Sequence, residues 1–184
     1  MRQGPSVSPA DRPGVAPSPS THRGHVVRRL RQEVRSVSDA ILATKALGWA
    51  LVLPSLKHVV SVKSLAALMH QPQRRAARDA DRERRIMTFA HWSARLTRWN
   101  SGGNCLERSL IAYRYLCAAG AHPTLVIGVG RGTAGVIGHA WVLVDGQLVG
   151  EPQSAIAPYT RAFAFGPDGC LDAEPNAPHK IPAS

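Results

Sequence analysis

Cys105 follows Ser101-Gly102-Gly103-Asn104, a run that breaks one helical pattern and opens the next. With Asn104 as N-cap, Cys105 is the first helical residue and Glu107 the third, a capping box with asparagine in place of serine or threonine. A thiol there meets the positive end of the helix dipole and unpaired backbone amides. Both favour the thiolate, the form that attacks a carbonyl carbon, and the same amides can hold an oxyanion. The structural alternative is a small buried residue at a helix start. Cys117, twelve positions on in the apolar stripe of the same helix, reads as a small hydrophobe. Cys170 lies in a Pro-Asp-Gly-Cys loop without a nearby base and reads as incidental.

A thiol nucleophile needs a base, and His139 fits best among eight histidines. It interrupts an apolar strand between Gly138 and Ala140-Trp141, whereas His22, His25 and His179 lie in the termini and His58, His70 and His91 in helical or loop contexts without a local partner. His122 stands before Pro123 at a strand entrance. The third group depends on the hairpin register. A three-residue loop, Val144-Asp145-Gly146 with a bulge, pairs Leu143 with Gln147 and sets Glu151 opposite His139. A two-residue Asp145-Gly146 loop slips the register by one and sends Glu151 to the other face. Asp145 is then the nearest other acid in sequence, although it also reads as a turn former. The glycine-rich run Gly128–Gly132 reads as a strand end and mobile loop, because no helix opens behind it as a phosphate-binding fingerprint requires. No metal-ligand spacing and no cofactor motif is visible.

These residues need elements to carry them. Residues 1–32 are rich in proline, serine, glycine and arginine without apolar periodicity, and are expected to form a disordered basic arm. Helical patterns follow at about Ser36–Leu53, stopped by Pro54, at Ser61–His70, and at Ala76–Trp99. A fourth runs from Cys105 to Gly120. Ala46–Leu53 contains no charge and is expected deep in the core or against a partner. The period then changes to strands at Thr124–Val129, Val136–Val144 and Gln147–Glu151, with a short one at Ala162–Phe165. Helices followed by antiparallel strands make an α+β domain over 33–171, helical over 33–120 and sheet over 121–171, with a loose tail at 172–184.

Composition bounds the rest. The net charge of +11 concentrates in seven arginines before residue 36 and in Arg74–Arg85, which suits an anionic partner or a solvated basic surface. Three cysteines without CxxC spacing argue against disulfides and structural zinc, and for a reducing compartment. No secretory signal is visible, and Ala40–Leu53, interrupted by Lys45, is shorter than the ~20 residues of a membrane span, so a soluble cytoplasmic protein is expected.

The runs Asn104-Cys105-Leu106-Glu107-Arg108-Ser109-Leu110, Leu125–Val129 and Gly138-His139-Ala140-Trp141-Val142-Leu143-Val144-Asp145-Gly146 resemble the transglutaminase-like leader peptidases of lasso-peptide gene clusters, over about Trp92–Pro152. The resemblance implies a transglutaminase-like, papain-like core with Cys105 as nucleophile, His139 as base and Glu151, twelve residues past the histidine, where the family commonly has aspartate. It implies removal of the leader from a lasso-peptide precursor; with no strand-rich leader-binding module visible before residue 40, the stand-alone peptidase is expected, and no cofactor. Its implied partners are the precursor leader, a separate leader-binding protein and a lasso cyclase. Two other readings stay open: an acyltransferase in which an amine resolves the thioester, and a non-catalytic protein whose arginines hold nucleic acid or an acidic peptide. The chain has no recognisable nucleic-acid module.

Overall fold

Three serine or aspartate caps start the helical half. The computed structural model describes residues 28, 33–72, 77–97, 104–133 and 135–172. The expected arm (apart from Arg28), Ser101-Gly102-Gly103 and the tail beyond Asp172 lie outside the described residues, as do His22, His25 and His179. Ser36 accepts from the Asp39 amide to open α1, Val37–Leu56, and the Asp39 carboxylate accepts in return from the Arg35 amide at 3.1 Å. Ser61 caps α2, Val62–Met69, and Asp79 caps α3, Ala80–Leu96, through the amides of Asp81 and Arg82. The last helix of this half, α4, is Cys105–Ala118; it ends at Gly120, whose φ of 83° is the left-handed conformation that closes a helix.

α1 departs from expectation twice. It continues past Pro54 to Leu56, with the Lys57 amide donating to Leu53 O at 3.0 Å. A proline so near the C-terminus withdraws only one bond from a helix that packing already holds. It is also not buried on most sides: only Asp39, Ala46, Ala50 and Leu53 are fully buried, with Leu42, Ala43, Trp49 and Leu56 partly buried against the core.

The sheet is antiparallel throughout, in the order β3-β2-β1-β4. β1 is Pro123–Gly132, β2 Gly135–Val144, β3 Gln147–Val149 and β4 Thr160–Phe165, with a one-turn helix α5, Gln153–Ile156, before β4. The glycine-rich run is therefore not a loop but the far half of β1, paired through Gly132 with Gly135. On one sheet face, Leu125, Val142, Val144 and Phe165 join α1–α4 in the main core, with α4 at its centre. On the other, Val126, Trp141, Leu143, Ile156 and Ala164 form a smaller cluster closed by Leu148 and Tyr159. This is the α+β arrangement that the change of period implied.

Candidate active site

The hairpin after β2 has the two-residue turn. Val144 pairs with Gln147, Leu143 with Leu148 and Val142 with Val149, so the register that would set Glu151 directly across from His139 is not formed. Asp145 and Gly146 both take positive φ, 50° and 78°, the geometry that matches the twist of a two-residue hairpin. That register was expected to send Glu151 to the far face, and it does not. β3 stops at Val149, and Gly150 turns the chain with a φ of 80°. Glu151 thereby leaves the ladder and swings back to His139, with Oε2 2.8 Å from Nε2. Asp145 stays at the turn tip, where it pairs with Arg78.

Glu151 is held from a second side. Arg108 donates from Nη2 to Oε1 at 2.8 Å, and both partners are largely buried. Arg108 belongs to the first turn of α4, three positions after Cys105. One residue further, Ser109 donates from Oγ to the Ala140 carbonyl at 2.8 Å, in the residue next to His139. Positions i, i+3 and i+4 share a helix face, so Cys105, Arg108 and Ser109 all face this stretch of β2. Arg108 was quoted in the sequence motif without a role. Its half-buried position three residues from a candidate nucleophile is the signal that marks it.

The imidazole is set in an aromatic stack. Its centroid lies 5.0 Å from the Tyr159 ring and 6.0 Å from the Trp141 ring, both at 25° interplanar angle. The stack depends on glycines opposite it. A Cβ on Gly128, the β1 partner of His139, would lie 2.6 Å from the Trp141 ring, and one on Gly130 would lie 2.5 Å from the Pro158 carbonyl, just before Tyr159. Those contacts explain glycines in the middle of a paired strand.

The expected capping box is absent. Asn104 has φ −107° and ψ 24°, outside the extended region that an N-cap side chain needs to reach its amides, and it makes no capping hydrogen bond. Glu107 turns instead to Lys57, 2.7 Å away. Unlike α1–α3, the helix that starts with Cys105 has no side-chain cap, so its N-cap side chain does not compete for the first-turn amides. Cys105 is half-buried and forms no hydrogen bond with His139 among the described residues. With Nε2 engaged by Glu151, Nδ1 is the ring nitrogen left for a thiol.

The other cysteines differ physically. Cys117 is fully buried in the main core, and that burial pushes its thiol up to about 11. Cys170 is exposed, and the Asp168 carboxylate beside it raises its thiol as well. Among the described residues, no group of three metal-ligating side chains converges.

The sequence matches the family described as the Transglutaminase-like superfamily over residues 43–164, more than half of the chain and a span that takes in Cys105, His139 and Glu151. No curated protein and no solved structure matches.

Proposed function

We propose that the chain, which belongs to the Transglutaminase-like superfamily, is a cysteine peptidase that removes the leader from a lasso-peptide precursor. One observation carries the reading most: Glu151 binds His139 at Nε2 and is itself clamped by Arg108, from the first turn of the helix that Cys105 opens. A carboxylate on Nε2 fixes the tautomer that leaves Nδ1 unprotonated, ready to take a proton from a thiol.

In this reading, His139 Nδ1 takes the Cys105 proton and the thiolate attacks the scissile carbonyl. Amides at the start of α4 hold the resulting oxyanion. The tetrahedral intermediate collapses, and the imidazolium, steadied by Glu151, returns its proton to the leaving amine. Water, deprotonated by His139, then hydrolyses the thioester and frees Cys105. Catalytic hydrogen bonds that are long in a free enzyme commonly tighten once substrate is bound, which fits the open Cys105–His139 pair. The leader-peptidase specificity rests on the sequence resemblance, with the precursor, a leader-binding protein and a lasso cyclase as the partners it implies.

The test is mass spectrometry of a precursor incubated with the chain and its leader-binding partner. Cleavage at one site, with water added across the bond, is expected of the wild type and of Cys117→Ala, and none of Cys105→Ala. A product carrying an amine in place of water would reassign the chain as an acyltransferase. Cleavage by Cys105→Ala would remove the proposal.

A further inference from the structure

The outward face of α1 has no counterpart in the site above. Its side chains recur once per turn along a 20-residue helix of roughly 30 Å: Val37, Ile41, Gly48, Leu51 and Val52, with Thr44 and Ser55 the uncharged polar positions among them. Four of these are apolar and exposed, Val37 at 78%, Ile41 at 50%, Leu51 at 57% and Val52 at 48%. An apolar stripe of that length on a soluble surface marks a contact face. Charge says what kind. The exposed side of α1 carries Lys45 and no acidic residue, whereas Lys57 and Arg78 further along are ion-paired with Glu107 and with Glu83 and Asp145. Beside the stripe lies an open groove of about 540 Å³, lined in part by Lys45, Gly48, Trp49, Val52 and Arg114. Arg114 stacks on Trp49 at 4.9 Å, so an aromatic ring and two cations meet at the stripe's margin.

We infer that this face of α1 seats the protein on an anionic membrane surface, with the stripe at the acyl boundary and Lys45 and Arg114 at the headgroup phosphates. Apolar residues flanked by Trp, Lys and Arg are what an interfacial helix needs. A second copy of the chain is a poor occupant, because an acid-free face on a protein of net charge +11 is not complementary to itself. α1 is the one helix among the described residues long and apolar enough to span a bilayer. It lies on the surface rather than spanning it, because its opposite side is fixed to the domain: Ala46, Ala50 and Leu53 are in the main core, and Asp39 is ion-paired with Arg85 of α3 at 3.1 Å.

Sedimentation of the full chain with vesicles tests this. The chain is expected to co-sediment with equimolar phosphatidylglycerol–phosphatidylcholine vesicles and not with phosphatidylcholine alone. The double variant Ile41→Gln/Val52→Gln, which leaves the net charge unchanged, is expected to partition at least tenfold more weakly, with an unaltered circular dichroism spectrum. Lys45→Gln alone is expected to weaken partition about fivefold, the worth of one lysine near an anionic surface. Three results overturn the inference: no partition into anionic vesicles, partition that both variants leave intact (binding then resides in the basic arm), or failure to bind vesicles while a 20-residue poly-glutamate peptide binds through the same positions. The last would reassign the face to an acidic protein partner.

Discussion

A histidine flanked by two aromatic rings and tied by Nε2 to a carboxylate has little freedom left, and Arg108 removes more by holding the other carboxylate oxygen. Arg108 is thus a positioning residue. Arg108→Ala is expected to lower kcat with little change in KM, and Arg108→Lys to recover only part, because a single ammonium does not reproduce the planar guanidinium. Glu151→Ala is expected to cost about 100-fold in kcat/KM, at the low end of what a positioned acid–base system contributes. A rate unchanged by Glu151→Ala would mean that its bond to His139 is only structural. Cys117 gives a prediction of another kind. Burial raises its thiol to about 11, above the ordinary 9.0, so its neutral form stabilises the fold below pH 9 and that contribution is lost as pH rises towards 11. Thermal midpoints measured at pH 8 and pH 10.5 should fall further in the wild type than in Cys117→Val. At this scale Cys105 and His139 stand out in the sequence because each breaks its local pattern, a thiol at a helix start and a ring in an apolar strand. Glu151 is reached through a hairpin register that does not form and through the family spacing, and its contact with His139 arises by another route. Arg108 was hidden among many arginines, since nothing in a lone sequence says which guanidinium finds a buried carboxylate.

At the scale of elements, one turn decides the site. Two-residue hairpins and a strand that continues past Val149 would carry Glu151 away from His139; Gly150 ends the strand and reverses that outcome. Gly150→Ala would force a left-handed backbone on an L side chain and press its Cβ against the Met87 methyl. A loss of about 1–2 kcal/mol in denaturant unfolding is expected. Activity should fall by more than the folded fraction accounts for, because Glu151 is displaced as well. Retention of full specific activity by the folded variant would show that Gly150 does not set the carboxylate. The hairpin's Asp-Gly dipeptide was plain in the sequence, but not whether one more residue joins the loop. Such a slip costs little locally and is settled by packing of Leu143 and Val142 on opposite sheet faces. The cap at Asn104 failed for a similar reason: asparagine next to a helical pattern is a cap by type, yet its backbone at ψ 24° cannot present the side chain.

Across the whole molecule, α4 is the axis. It is packed by α1–α3 on one side and by β1 and β2 on another, while its first turn lies open to the site. The order of helices and then antiparallel strands was readable because apolar spacing changes near Gly120. The exposure of α1 was not. A helix whose only charges are Asp39 and Lys45, with an uncharged run from Ala46 to Leu56, gives little periodic sign of which side turns inward, and its fit against the core, through small residues such as Ala46 and Ala50, decides it. The central claim is that this architecture makes Cys105, alone of three cysteines, a nucleophile driven by His139. It is tested most directly by iodoacetamide alkylation of the native chain at neutral pH, with each cysteine followed by peptide mass spectrometry. Cys105 is expected to react at least tenfold faster than exposed Cys170, Cys117 not at all until the chain unfolds, and His139→Ala to abolish the advantage of Cys105. Equal rates at Cys105 and Cys170, or a Cys105 rate indifferent to His139→Ala, would contradict it.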